Sequence, residues 1–572
     1  MLTSGSCRRS ATRRRRQGRS GHAASSFMAR AATRAAFTAA WRPDVMAGTP
    51  SRWAPGAAVV CMLCVAMALF VAIRPSVAAQ SSGPVVTSEA PATANFQQRR
   101  HVRASNSPLI VADPNEPKFV VLANRLDAID FDCALQVSGD GGRTWVPSQP
   151  VPKLPPGAEK CYAPEVAFDR AGVLHYLFLG LQGLGNSPMG AFLTTSADRG
   201  RTFSEPRQVL GPNRFQVRMD VDRTQGETGR LHLVWLEVTS DPGIGALPSS
   251  PNPILAAHSD DGGKTFSEPV VVSDPDRRRV VAPALAVGPD HAVHVAYYDL
   301  GDDARDYQGL DGPTWEGAWS VVLSTSTDGG RSFGKNVLVD DEVAPPGRVM
   351  LIFIMPSPAL AVDASGGIYV AWTDARSGDP DVFLRHSPDG GHSWEDARRV
   401  NDDAVASGRH QDLPRLSVAP GGRLDAIFYD RRNDPENVLN DVYYTYSTDG
   451  GKTFAANIQV NGKASDSRIG RTYDALRAAK GLVEFGSRLG LLSREDEAVA
   501  AWTDTRNSMQ PLQQDVFSAV VVGMPRSVPA GGGWAWWAVL APVGCGALVL
   551  VGLGYAAKRR RPVRPDGSAT AA

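Results

Sequence analysis

The sequence predicts an all-β protein, a β-propeller of four-stranded antiparallel blades. Three observations predict it. The octapeptide Ser-x-Asp-x-Gly-x-Ser/Thr-aromatic occurs six times, starting at Ser138, Ser196, Ser259, Ser326, Ser387 and Ser447. The starts are 58, 63, 67, 61 and 60 residues apart. Turn formers are abundant, with 56 Gly and 42 Pro in 572 residues. Self-similarity at a near-fixed period is the mark of one supersecondary unit used many times over.

The octapeptide has a local logic. It follows an apolar β-prone run such as Val442-Tyr443-Tyr444-Thr445-Tyr446 and precedes another extended stretch, Ile458-Gln459-Val460. It therefore sits at the turn of a hairpin. Its carboxylate (Asp140, Asp198, Asp261, Asp328, Asp389 and Asp449) can accept hydrogen bonds from its own turn. Its fixed Gly permits φ > 0, and its closing Trp or Phe can tie the turn to a core. These six Asp are read as structural.

Around each octapeptide lies the same unit. A first strand (Pro164–Phe168, Ala284–Val287, Ala359–Val362, Leu416–Val418) is followed by a second (Val293–Tyr298, Ile368–Trp372, Leu424–Tyr429). A variable loop, a third strand, the octapeptide and a fourth strand complete it. Four strands per roughly 60 residues, in series, describe propeller blades. Six units carry the octapeptide. A seventh, with strands at 488–492, 498–502 and 516–521, has three strands and no octapeptide. Val85-Val86-Thr87 or Phe96 to Val102 can supply its fourth strand and close the ring. The expected count is seven blades, with six the alternative.

The ends predict export. Residues 1–55 hold eleven Arg and one acid, Asp44, followed by an apolar run from Ala57 to Ile73 and small residues at 76–79. That is the order of a secretory signal. Gly531-Gly532-Gly533 precedes an apolar stretch of 24 residues, Trp534 to Ala557. This is long enough to span a bilayer core of about 30 Å, with Trp534, Trp536 and Trp537 at one border and Lys558-Arg559-Arg560-Arg561 at the other. The organisation reads as leader and signal 1–79, linker and ring-closing strand 80–105, propeller 106–523, linker 524–533, transmembrane helix 534–557 and basic cytoplasmic tail 558–572. This places a single-pass protein in the cell membrane with the propeller outside. The body carries no basic excess, 60 Lys and Arg against 59 Asp and Glu overall, which argues against nucleic acid as a partner. Cys133 and Cys161 are the two cysteines outside the leader and the apolar C-terminal stretch. They form a disulfide candidate, the alternative being two buried thiols. No Cys/His spacing suggests a metal site.

The octapeptides resemble the Asp-box, or BNR, repeats of sialidase-like propellers, across roughly residues 106–523. The resemblance implies that the boxes lie away from the ligand face, and that the second-to-third strand loops and interblade connections form that face. Cys133 and Cys161 would then sit together on it. It also implies two functions to weigh. One is a surface propeller that binds glycans, glycoproteins or other protein partners. The other is an exo-acting sialidase-type hydrolase, which clamps a carboxylate with Arg and attacks with a Tyr activated by Glu. The family's Phe/Tyr-Arg-Ile-Pro motif has no counterpart; the nearest stretch is Gln97 to Arg103.

Candidate site residues follow from the loops. Tyr473 and Glu484 precede the seventh unit and fit the nucleophile and its base. Trp372 to Arg376 with Asp381, Tyr429 to Arg432 with Asp441, and Trp502 to Arg506 with Asp515 repeat one pattern. Arg376, Arg432 and Arg506 are either anion ligands or braces paired to Asp. Arg409 opens the sixth unit. In the long segment Asp299 to Trp319, the rings of Tyr307, Trp315 and Trp319 suit sugar stacking, and Asp302, Asp303, Asp306 and Asp311 suit calcium. No cofactor is otherwise expected.

Overall fold

Each of the six octapeptide units folds into four antiparallel strands, and a seventh blade completes the ring. The computed structural model describes residues 83–93, 103–127, 130–147, 152–183, 186–238, 252–303, 317–344, 356–470, 485–509 and 512–525. Blade 1 is Ser105–Ala112, Val120–Leu126, Asp132–Ser138 and Val146–Pro147; blade 2 is Lys160–Phe168, Leu174–Gln182, Ser187–Ser196 and Arg207–Leu210. Blade 3 is Arg214–Asp222, Arg230–Glu237, Ile254–Ser259 and Val270–Val271; blade 4 is Val280–Val287, Val293–Asp299, Trp319–Ser326 and Val337–Val343. Blade 5 is Ala359–Val362, Ile368–Asp374, Asp381–Ser387 and Arg398–Arg399; blade 6 is Gln411–Val418, Leu424–Asp430, Leu439–Ser447 and Ile458–Gln459. Blade 7 takes Gly490–Ser493, Glu497–Asp504 and Asp515–Val522 from the C-terminal side and Val85–Pro91 from the N-terminal side. Seven blades, not six, form the ring. Val85 pairs with Val522 and Pro91 with Phe517, so the first of the two expected closing segments supplies the fourth strand. Phe96 to Val102 lies outside the described residues.

The second strands show why the alternation of a half-buried sheet is missing. Ile368–Asp374 and Leu424–Asp430 are buried at every residue. Each is the middle of a blade sandwiched between two others, so both of its faces meet a core. Period-2 patterning is replaced by near-continuous apolar runs. Trp235, Trp372 and Trp502, all in second strands, are among the largest fully buried side chains.

The octapeptides are the turns between third and fourth strands, in near-identical geometry. In blade 1, Ser138 Oγ donates to Asp140 Oδ1 at 2.8 Å and accepts from Gly142 N at 2.8 Å. Thr144 Oγ1 donates to Asp140 Oδ2 at 2.6 Å. The last contact recurs at 2.6 Å for Asp198, Asp261, Asp328, Asp389 and Asp449. The fixed Gly answers two demands at once. Gly142 has φ 92°, and a Cβ there would lie 2.8 Å from Val499 of blade 7. The closing aromatic bridges the same gap, Trp145 Nε1 donating to Ser518 Oγ of blade 7 at 2.7 Å. The box thus links each turn to the blade before it.

Among the described residues no helix is long and apolar enough to cross a membrane. The segments 1–79, 534–557 and 558–572 lie outside the described residues.

The box carboxylates set the acid limit of the fold. The hydroxyl and then the amide of Thr202 hold Asp198 down at about 2, and Ser393 does the same for Asp389. For Asp140, burial opposes the shift, but hydrogen bonds led by Thr144 outweigh it and the group again sits at about 2. A carboxylate depressed in the folded state contributes stability above its unfolded pKa, and that stability is lost as pH falls through the folded value. Unfolding should therefore take up protons between about pH 4 and pH 2, measurable as a steep fall of the denaturation midpoint in that window. Asp140→Ala should lower stability at pH 7 by about 1–2 kcal/mol and flatten that slope.

Candidate binding site at the propeller axis

The strands nearest the axis carry a repeated irregularity. In five blades the register to the second strand slips by one residue, between Asn106 and Leu109, Tyr162 and Glu165, Phe215 and Arg218, Val281 and Ala284, and Asp412 and Arg415. The first extra residue has positive φ in each: Ser107 at 55°, Ala163 at 49°, Gln216 at 53°, Ala282 at 57° and Leu413 at 57°. The next is Pro in four of them, Pro108, Pro164, Pro283 and Pro414, a residue with no N–H to leave unpaired. A bulge bends the strand and re-aims the side chain that follows. Here the following residues ring the axis. With Ala359 after Pro358 in blade 5 and Arg488 after Gly486-Ser487 in blade 7, the ring reads Leu109, Glu165, Arg218, Ala284, Ala359, Arg415, Arg488.

All seven line one cavity of about 170 Å³. Asp220 and Arg223 line it too, with an aliphatic and proline wall that includes Leu285, Pro356, Leu360 and Leu413. Glu165 holds two of the arginines on one oxygen. Its Oε1 accepts from Arg218 Nη1 at 3.3 Å and from Arg488 Nη1. Arg488 also donates to Ser107 O at 3.2 Å and Pro164 O at 2.5 Å, and Arg218 Nη2 to Ser357 Oγ at 3.0 Å. Arg415 has no hydrogen bond or ion pair among the described residues, and its Nε is buried without a partner. Arg218 and Arg415 are half-buried, since the cavity reaches their side chains. Burial and then the Arg488 charge push Arg415 down to about 10. Burial also pushes the Asp220 carboxyl up, against the pull of Arg223 and the amides of Val221 and Val287. The cavity is net positive, with one guanidinium fork open.

Residues 249–481 match the family model described as BNR repeat-like domain. The fold is that of a BNR-like β-propeller. None of the curated proteins matches the chain. Among solved structures it is similar to a protein of unknown function from Dyadobacter fermentans, at 12% identity, TM-score 0.43, over 77% of this chain and 99% of that one. It is similar to a Penicillium chrysogenum alpha-L-arabinanase complexed with arabinobiose, at 14% and 0.37, over 64% and 93%. A third is a Hadza microbial sialidase, at 14% and 0.39, over 70% and 73%.

In this BNR-like propeller the loop arginines sit elsewhere. Arg376 donates to Asp374 at 2.6 Å and to Asp340 on the last strand of blade 4 at 2.6 Å. Arg432 pairs with Asp430 at 2.7 Å and Asp402 at 2.5 Å, and Arg506 with Asp504 at 2.8 Å and Glu89 at 2.5 Å. Each guanidinium lies over the ring of the next strand: Phe383 at 5.1 Å, Tyr443 at 4.1 Å and Phe517 at 4.3 Å. Burial works against these charges, but the carboxylates outweigh it and hold all three above the ordinary arginine range. These arginines are braces whose forks are filled, and none of them lines the axial cavity. Arg409 donates to Pro435 O at 2.9 Å in the blade 5 to blade 6 connection, also off the axis.

Cys133 and Cys161 form a disulfide with Cα atoms 5.5 Å apart, joining the third strand of blade 1 to the first strand of blade 2. Trp319 is a correction: it is 1% exposed, and its Nε1 donates to Asp303 Oδ2 at 3.0 Å, so its ring belongs to the core and not to a sugar platform. No group of three or more His, Cys, Asp or Glu able to hold a metal occurs among the described residues. Tyr307, Trp315, Asp306, Asp311, Tyr473 and Glu484 lie outside them.

Sequence reasoning missed Glu165, Arg218, Asp220, Arg415 and Arg488 as a group. The signal was one aligned column, the axis-facing residue of each innermost strand, preceded by Pro in blades 1, 2, 4, 5 and 6, where three Arg and one Glu stand among Leu and Ala; Asp220 lies two residues beyond it. The two kinds of arginine should respond oppositely to removal. Arg432→Ala leaves buried Asp430 without its partner and should cost about 3 kcal/mol of unfolding free energy. Arg415→Met removes an uncompensated charge and should leave stability unchanged or raise it by about 1 kcal/mol, as read in denaturant titrations.

Proposed function

We propose that this protein is an exported, membrane-held propeller that binds acidic glycans at its axis, with a sugar carboxylate received by Arg415 beside Arg218 and Arg488. The observation that carries this reading is the unfilled Arg415 fork. An enclosed guanidinium without a carboxylate is costly, and a planar carboxylate is the ligand its geometry suits. The aliphatic wall opposite suits the carbon face of a sugar. The seven ring residues are asymmetric in charge, unlike the repeated braces, as expected of a site for one ligand.

A panel of uronic and sialic acid glycans should bind the purified full chain, and Arg415→Ala should weaken binding about 10- to 100-fold, the value of one or two charge-assisted hydrogen bonds. Equal binding by neutral glycans, or no effect of Arg415→Ala, counts against the reading.

A second reading is hydrolysis of a terminal acidic sugar, exo-sialidase-like in type. Asp220 favours it, because a carboxyl pushed up by burial is suited to general acid work. Tyr473, the candidate nucleophile, lies outside the described residues, and the binding reading stands first on the open Arg415 fork. Turnover of a fluorogenic sialoside, lost in Asp220→Asn or Tyr473→Phe, would reverse that preference.

Anchoring is proposed through 534–557, the propeller facing outward. Full chain should fractionate with membranes, and chain ending before Trp534 should be secreted; a shortened form that stays in the membrane fraction contradicts it.

A further inference from the structure

We propose that Glu165 is the selectivity element of the axial site, a resident carboxylate that competes with simple anions for the arginines. This rests on the reading of the axis as an anion site and names how it chooses. Glu165 is 4% exposed and places a single oxygen between Arg218 of blade 3 and Arg488 of blade 7. Those two guanidiniums are therefore partly neutralised before any ligand arrives, while Arg415 is left open. Small inorganic or organic anions gain charge attraction alone, and Glu165 repels them at the same time. A carboxylate carried on a sugar-sized body gains contacts with Leu109, Ala284, Ala359 and Leu413 as well. The occupant is thus a carboxylate on a body that fills the apolar side, and free formate, chloride or sulfate is screened out.

Glu165→Gln keeps the shape and removes the charge. It leaves Arg218 and Arg488 without a counter-charge, so the ligand-free variant should melt at a lower temperature than wild type. Simple anions should then take the place of the missing carboxylate. Thermal melts of the full chain in mild detergent, titrated with sodium formate and sodium sulfate at constant ionic strength, read this out. The wild type should shift little, and Glu165→Gln should shift at least threefold more at the same anion concentration. The double variant Glu165→Gln with Arg415→Ala should lose most of that gain, which places the anion at the axis. Glu165→Asp, which withdraws the carboxylate by one methylene, should fall between wild type and Gln. If Glu165→Gln folds only when formate is added, that too supports the proposal. An anion response in both variants no larger than wild type overturns it. Failure of glycans to bind the wild type, with the enhanced formate response intact, would sink the glycan reading and leave this one standing.

Discussion

Ring closure is the constraint on which the rest of the structure depends. The C-terminal side of the propeller supplies three strands of blade 7, and the fourth, Val85–Pro91, arrives from more than 400 residues earlier in the chain. Without it Asp515–Val522 would be an open edge with unpaired backbone groups, and blade 7 would not be held to the start of the ring. Further links cross the same closure: Thr93 Oγ1 to Asp515 Oδ1 at 3.0 Å, Trp145 to Ser518, and Arg143 to Glu497 at 2.6 Å. Closure is also what brings Arg488 of blade 7 within reach of Glu165 of blade 2, across blade 1. The axial site exists only in the closed ring.

Two classes of polar residue emerge, separated by whether their partners are built in. The octapeptide Asp and the brace Arg recur with the same geometry and leave little hydrogen-bonding capacity unused. They hold turns and neighbouring blades together, and their repetition follows from the repetition of the blades. The axial residues occupy equivalent backbone positions, five of them placed by equivalent bulges, yet differ in kind from blade to blade. Leu109, Ala284 and Ala359 leave room; Glu165 is filled; Arg415 is not. A scaffold position that repeats while its side chain varies is where a propeller can hold a particular ligand at little cost to its frame. The strained backbone at Ser107, Ala163, Gln216, Ala282 and Leu413 belongs to this position too, consistent with strain being kept where geometry must be aimed.

The sequence made the frame legible and hid the axis, for a physical reason. The octapeptide is local: the hydrogen bonds among its Ser, Asp, Gly and Thr join residues within five of one another, so the turn can be read from its own residues. The missing fourth strand of the last unit announced a closing strand from the N-terminal side, at Val85 to Thr87 or Phe96 to Val102, because a sheet edge must be filled. The braces were visible as a repeat, with anion ligation and pairing to Asp both open as readings of their arginines. The loop aromatic Trp319 misled because ring type says nothing of which way a third strand faces. Glu165, Arg218, Arg415 and Arg488 come from four blades, singly, the first three inside strands and Arg488 just before one. Only alignment of the innermost strands across the blades would have put them in one column, since Val217 and Ser487 stand where other blades have Pro, and only closure puts them in one cavity.

The central claim is that the open guanidinium of Arg415, at the axis, is where a carboxylate ligand sits. The most direct measurement is a crystal structure of the full chain grown with a glucuronic or sialic acid monosaccharide. The account predicts sugar density in the axial cavity with its carboxylate within hydrogen-bonding distance of Arg415 and its ring against Ala284 and Ala359. Sugar bound on the outer loops, with the axis holding only solvent, would contradict it.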